Sequence, residues 1–338
     1  AVALASETGE VRISGATADP SNSATIRVNR WNPQQLLAAA GSFPSGQPVT
    51  RLFYSGDGGA TWGASFTPQV SQFEFESTVD WTSDGTAWMI SAGLHAPDYA
   101  TATLQAYRST DGGVSFWYDA SISSTLADLD LDQMWVDHGA TSPFKDTVYV
   151  TWHQGPATIV RRRRVGPASS WQPAVQVSGA ETTGSPLCGD VKTNAAGDVF
   201  VFYHDTGSQG IYVAKSTDGG ASFGAPGKLA VSVAAFHFFV PANTSSGILV
   251  CPTAGAYRSS TVNNVYVAWN DLSGDPGCTH GAGPGANVSS TCKSRIFFSR
   301  SNDGGATWSP PAKVNDTAGL NDQFLPAMVV DEPAATSR

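Results

Sequence analysis

Ser216-Thr-Asp218-Gly-Gly220-Ala-Ser-Phe223 is one of four copies of a single turn, the others being Ser55-Gly-Asp57-Gly-Gly59-Ala-Thr-Trp62, Ser109-Thr-Asp111-Gly-Gly113-Val-Ser-Phe116 and Ser301-Asn-Asp303-Gly-Gly305-Ala-Thr-Trp308. A turn repeated this regularly is the signature of a repeat architecture. Each copy follows an apolar run with strand alternation, as in Ile211-Tyr-Val-Ala-Lys215. Asp-Gly-Gly supplies the positive φ of a tight hairpin, the Asp carboxylate accepts hydrogen bonds from turn amides, and the closing aromatic buries against its own sheet.

The turn aspartates are separated by 54 residues (57 to 111), 107 (111 to 218) and 85 (218 to 303). The middle gap is two periods, and Arg164-Val-Gly166-Pro-Ala-Ser-Ser170-Trp171 stands halfway along it as a decayed copy without the Asp. The last gap is one period plus an insertion. These spacings predict five repeat units, at about 24–70, 74–122, 131–178, 184–232 and 235–314. Residues 321–338 open like a further one, since Asn321-Asp322-Gln323 through Asp331 repeats the pattern of Leu131-Asp132-Gln133 through Asp137.

The repeat resembles the Asp-box, or bacterial neuraminidase repeat, of sialidase-like β-propellers. That resemblance implies an all-β fold, a sialidase-like propeller of six blades, with five clear here and the last incomplete. It places the box between the third and fourth strands of each blade, on the face opposite the active site, so Asp57, Asp111, Asp218 and Asp303 are expected to be structural. Completion of the last blade is expected from additional polypeptide, with an outer strand from around Glu10-Val-Arg12-Ile13, or a five-bladed ring with a covering tail, as alternatives. Residues 1–338 are read as one domain, because no linker-like stretch interrupts the repeat.

With 35 Gly, 20 Pro and 14% charged residues, the 338-residue chain has the composition of a turn-rich β protein. No run of 18 apolar residues appears, so no membrane span is expected. A net charge of -9 argues against nucleic acid as partner. Ala1-Val-Ala3-Leu-Ala5 carries small residues where a signal peptidase prefers them, and with four cysteines this points to a secreted protein. Four cysteines allow three pairings. Cys278 with Cys292, bracketing a Gly-rich loop, is the first choice, leaving Cys188 with Cys251.

In a four-stranded antiparallel unit, the ends away from the boxes hold the residues entering strand one and leaving strand two. The first group comprises Glu74, Glu76, Asp130, Asp132, Gln133, Asp190, His237, Asp322 and Gln323. The second comprises His95, His153, Gln154, His204, Asp205, Asn270 and Asp271, with His280 in the insertion that follows. Such a rim suits hydrogen bonding to polyols, and paired carboxylates there suit acid and base work. A glycan or glycoconjugate is the expected partner.

Sialidases of this fold carry an Arg-Ile-Pro motif on the first inner strand, two further arginines, an Asp acid/base and a Tyr nucleophile activated by a Glu. Arg27 stands about where the motif arginine would, followed by Val28-Asn29 in place of Ile-Pro, and Arg258 and Arg295 are the later arginines that could join a clamp. The runs Ser142 to Trp152 and Asn321 to Asp331 look like those of secreted exo-sialidase or glycosyl-hydrolase-like proteins. The candidate catalytic residues are therefore Arg27, Asp132, Asp190, Asp322, His153 and His204. Candidate substrate contacts are Glu76, Gln133, His95, Asp205, His237 and Asp271. No cofactor is expected, a structural calcium on Asp128, Asp130 and Asp132 being the alternative to a solvated edge. A glycoside hydrolase and a non-catalytic glycan-binding or protein-binding propeller remain as function classes.

Overall fold

The computed structural model describes residues 13, 21–46, 48–95, 100–127, 129–163, 169–275, 278, 292–316, 319 and 321–330. It is built of antiparallel sheets, with no α-helix among the described residues. The chain divides into two compact units, Ala1–Thr125 and Leu126–Arg338.

The first unit holds two four-stranded sheets, each in sequential order. One is β1 (Ser21–Val28), β2 (Leu36–Ser42), β3 (Val49–Ser55) and β4 (Gly63–Ala64). The other is β5 (Phe73–Trp81), β6 (Ala87–Leu94), β7 (Ala102–Ser109) and β8 (Trp117–Ser121). The second unit repeats the plan three times. Its sheets are β9 (Leu129–Val136), β10 (Val148–Gln154), β11 (Ala157–Arg163) and β12 (Val175–Gln176); then β13 (Pro186–Thr193), β14 (Val199–Asp205), β15 (Gly210–Ser216) and β16 (Gly227–Val231). Between this and the last sheet lies a separate hairpin, β17 (His237–Val240) with β18 (Asn243–Leu249). The last sheet is β19 (Thr253–Arg258), β20 (Asn263–Leu272), β21 (Ser294–Ser301) and β22 (Ala312–Lys313).

One four-stranded sheet starts away from the expected unit bounds. The fifth opens at Thr253 and not near residue 235, because His237 to Leu249 pair with each other and form no ladder with β19. Sequential antiparallel order follows from the short connections, which return each strand beside its predecessor.

Middle strands are buried on both faces, which is why they read as continuous apolar runs. Phe200, Phe202, Val213, Val265, Val267 and Trp269 share one core of the second unit, and Leu37, Leu52, Val79, Trp81, Met89 and Phe116 form that of the first. Trp81, Trp152 and Trp269 are fully enclosed, and burial stabilises each by about 5 kcal/mol at most.

All four Ser-x-Asp-Gly-Gly turns close identically. In the first, Ser55 Oγ donates to Asp57 Oδ1 at 2.8 Å and accepts from Gly59 N at 2.9 Å, while Thr61 N donates to Asp57 Oδ1 at 2.8 Å. The paired glycines have left-handed φ, 74° and 93° for Gly58 and Gly59. The side-chain bond from Thr61, then its backbone bond and the Ser55 hydroxyl, hold the Asp57 carboxyl at about 2. These carboxylates are spent on their own turns. The third period has no Asp, and its turn residues 164–168 lie outside the described residues; Trp171 bridges Arg163.

A second recurrent device sits on the first strand of four sheets. The register slips between Asn22 and Thr25 in β1, between Phe75 and Thr78 in β5, at Asp132 in β9 and between Leu187 and Asp190 in β13. Each slip is a bulge, two residues facing one in β1, β5 and β13, and it re-aims a side chain near the strand's start. Glu76 and Cys188 occupy it with φ of 51° and 58°, a strained conformation for residues with a Cβ.

Candidate functional site

The ends of the sheets away from the Asp-Gly-Gly turns hold most of the expected polar residues, and the two units are taken separately. In the first unit, Glu74 enters β5 opposite Gly93 of β6, which in turn pairs with Thr103 of β7. Gly93 leaves an opening in the sheet face: a Cβ there would lie 2.3 Å from Ser71 Oγ and 2.8 Å from Gln105 Nε2. Through that opening Gln105 Nε2 donates to Ser71 Oγ at 2.7 Å, and the Tyr107 hydroxyl meets both Gln105 Oε1, at 2.7 Å, and the Glu74 carboxylate.

Tyr107 and Gln105 are buried, while Glu74 is partly exposed. Burial pushes the Glu74 carboxyl above its ordinary range, against the hydrogen bonds from Tyr107, Ser71 and Ser91 that favour the ionised form. Burial and the neighbouring Glu74 charge raise the Tyr107 hydroxyl, which keeps it protonated and a donor. A partly exposed carboxyl with a raised pKa and a fixed donor beside it is suited to hand over a proton. Glu76 follows two residues on, at the bulge. His95, at the end of β6, shares a 2.6 Å bond between Nε2 and Thr103 Oγ1, which continues to Thr125 Oγ1 at 3.2 Å.

In the second unit, Asp130 pairs with His153 across β9 and β10, and Gln133 with Thr151. His153 is buried and Asp130 half-buried. The side chain of Asp132, and Asp128 and His280 altogether, lie outside the described residues. Among the described residues no group of three or more His, Cys, Asp or Glu could hold a metal ion; the calcium reading rests on positions outside them.

The other candidates have structural partners. Asp190 is buried, accepting from Lys192 Nζ through Oδ1 and from Ala254 N of β19 through Oδ2 at 2.8 Å. It therefore ties two neighbouring first strands together. His204 is enclosed, with Nε2 2.9 Å from Ser232 Oγ and the ring stacked 5.5 Å from Phe236; burial lowers it to about 4, against the pull of Asp205. The enclosed imidazole packs the wall.

Asp205 and Asp271, expected to touch substrate, instead organise backbone. Asp205 accepts from Gly184 N at 2.9 Å and from Ser208 N at 2.8 Å; burial pushes it up, but these bonds and that of Thr183 hold it at about 2. Asp271 accepts from Val233 N and Ala234 N, both at 2.8 Å, and burial raises it to about 6 despite those bonds. Asp322 accepts from Ser294 N at 2.8 Å, which fixes the start of the tail. His237 is exposed on the β17–β18 hairpin, 4.9 Å from Phe239, and does not enter the first strand of a four-stranded sheet.

The arginines are also corrected. Arg27 pairs with Leu37, and Leu37 with Tyr54 beside the turn residue Ser55, so Arg27 sits at the opposite end of its sheet from Glu74's counterparts. Arg258 bonds Asp198 at 3.0 Å. Arg295 is buried, donating to the carbonyls of Asn321 and Gly319 at 2.7 and 2.9 Å and to Gln323 Oε1 at 3.1 Å. The tail it anchors reaches Gly255 of β19, where a Cβ would collide with Val330.

Both expected disulfides form, Cys188 with Cys251 and Cys278 with Cys292. The site residues the sequence reading did not single out are Tyr107, Gln105 and Ser71. Their partner Glu74 was placed on the rim, but nothing in a linear pattern marks a hydroxyl two strands further along the chain as its donor.

No protein-family model matches the chain, and no curated protein sequence matches it. Solved structures do. A Hadza microbial sialidase, Hz136, aligns over 88% of this chain and 59% of its own at 12% identity, with a TM-score of 0.57. The intramolecular trans-sialidase of Ruminococcus gnavus, in complex with oseltamivir carboxylate, aligns over 86% and 85% at 10% identity and a TM-score of 0.55. The NanB sialidase of Streptococcus pneumoniae aligns over 87% and 61% at 8% identity and a TM-score of 0.54. The chain thus spans less than two thirds of the length of the first and third. Five four-stranded antiparallel sheets in sequential order, together with this shared architecture, give the chain the sialidase-like β-propeller fold.

Proposed function

We propose that this is a secreted, carbohydrate-active propeller that engages glycans at the sheet ends opposite the Asp-box turns, with glycoside hydrolysis as its reaction. The observation that carries the reading is Glu74, partly exposed, raised by burial and held by Tyr107. In this reading Glu74 protonates the departing glycosidic oxygen as its bond to the anomeric carbon breaks. It recovers a proton from the water that adds to that carbon. The solved structures sharing the fold include sialidases, which supports a glycan as ligand. Two disulfides support secretion; no helix among the described residues is long and apolar enough to cross a membrane.

The test is turnover on a broad glycoside panel by the full chain and by Glu74→Gln. Hydrolysis that falls by about 100-fold or more in the variant supports the assignment; hydrolysis untouched by it removes Glu74 from the mechanism. A non-catalytic glycan-binding propeller is the second reading, favoured by the commitment of Arg258 and Arg295 to protein partners. Binding on a glycan array without turnover on the panel would select it.

A further inference from the structure

The Tyr107–Glu74 pair of the first unit has a counterpart in the second, with the opposite electrostatic outcome. Resting on the reading of these sheet ends as glycan-binding, we propose that Glu181, with Lys228 beside it, is a further glycan contact, a fixed carboxylate that accepts from sugar hydroxyls.

Glu181 lies in the connection from β12 to β13, at the end of the sheet where Pro186 pairs with Asp205, away from the turn that follows Ser216. Its Oε1 takes three donors: the Tyr203 hydroxyl, Gly179 N at 2.8 Å and Thr182 Oγ1 at 3.2 Å. Its Oε2 receives no bond from any other described residue. Gly179 keeps that oxygen clear, because a Cβ there would stand 3.2 Å from it. Glu181 is partly exposed, whereas Tyr203 is fully enclosed. One oxygen is tied down and the other is left for a ligand. Burial pushes the carboxyl up, but the bonds from Tyr203 and Gly179 outweigh it and hold the group below its ordinary range. Glu74 can give up a proton at its end of the first unit; Glu181 stays ionised and only accepts.

The surroundings are fixed in advance. Asp205 accepts from Thr183 N at 3.2 Å, Gly184 N at 2.9 Å and Ser208 N at 2.8 Å, which pins the loop after Glu181 to the loop after β14. These loops meet so closely that a Cβ on Gly184 would lie 2.3 Å from Gly207 N. Tyr212 stacks on Tyr203 at 5.5 Å, and its hydroxyl lies 3.4 Å from Glu181 O and 3.2 Å from Ser208 Oγ. The ammonium of Lys228, an exposed residue, lies over the Tyr212 ring at 5.4 Å. Its stem passes Gly210, where a Cβ would meet Lys228 Cε at 3.0 Å. An ionised acceptor and an exposed ammonium donor on one frame match adjacent sugar hydroxyls, each of which donates and accepts. Hydrogen bonds to charged groups are the stronger kind, and a frame already ordered loses little entropy on binding.

The full chain, its disulfides intact, is titrated by calorimetry with lactose, cellotriose, xylotriose and arabinotriose, and with the tightest-binding oligosaccharide of the glycan array. For the sugar that binds most tightly, Glu181→Gln is expected to weaken binding about tenfold or more and Lys228→Ala several-fold. Gly179→Val adds bulk beside Oε2 while leaving the three bonds of Oε1 in place, and is expected to weaken binding as Glu181→Gln does. A carboxylate that only braced Tyr203 would not produce that loss. Gly179 and Lys228 are exposed, so these two variants decide the matter even where Glu181→Gln fails to fold. Wild-type affinity in both of them overturns the Glu181 contact while leaving glycan binding standing. No binding by any sugar, with the thermal transition of the protein normal, removes the glycan reading and this proposal together.

Discussion

The hydroxyl of Tyr107 on β7 donates to the carboxylate of Glu74 on β5, spanning β6 at the one place where a glycine, Gly93, leaves the face open. Removing the donor therefore acts on the acid. Because that bond favours the ionised carboxylate, Tyr107→Phe is expected to raise the Glu74 pKa further. Side-chain carboxyl NMR titration of selectively labelled glutamate reads this without any substrate; a Glu74 resonance that titrates unchanged or at lower pH contradicts it.

Gly93→Ala tests the opening itself. Its Cβ would displace Ser71 and Gln105, and overpacking of this kind costs about 1–3 kcal/mol. Denaturant unfolding measures the loss. A neutral effect would mean that Gln105 and Ser71 yield freely and do not hold Tyr107 in place.

The Asp-Gly-Gly turns were fully legible in the sequence because their chemistry is local: serine, carboxylate and amides lie within four residues of each other. The disulfide pairings followed from the placement of the four cysteines. What failed was anything set by distant strands. His237 stands at the right interval for a first strand, but the hairpin β17–β18 satisfies its own backbone and pushes the sheet's start to Thr253. Asp205 and Asp271 look like rim ligands in sequence, and only their folded neighbours show that backbone amides occupy them. Arg27 was judged by its place in the chain, whereas register decides which end of the sheet it reaches.

Ser216→Ala tests the turn as a structural device. Ser216 is buried and its hydroxyl accepts from Gly220 N at 2.8 Å, so the variant orphans that amide and is expected to cost about 1–3 kcal/mol. Thermal unfolding with an unchanged midpoint would contradict the assigned role.

His204 and Asp271 both bond the segment Ser232–Ala234, and their pH responses oppose each other. His204 is lowered by burial from 6.5 to about 4, so the stability of its neutral form is complete above 6.5 and is lost as pH falls towards 4. Asp271 is raised by burial from 3.8 to about 6, so the fold gains from its protonation as pH falls through 6 towards 3.8. Each swing is on the order of 3 kcal/mol, and they largely cancel in the wild type. His204→Leu is expected to become more stable on acidification over this window and Asp271→Asn less stable, read as unfolding free energy against pH. Identical slopes in the two variants would refute the opposition.

The central claim is that a glycan is engaged at the sheet ends holding Glu74, and the most direct measurement is the Glu74 carboxyl NMR signal during titration with the tightest-binding oligosaccharide from the glycan array. The account predicts a saturable shift at Glu74, with the same dissociation constant as calorimetry. Saturable binding that leaves Glu74 unmoved, and moves residues at the Asp-Gly-Gly turns instead, would contradict it.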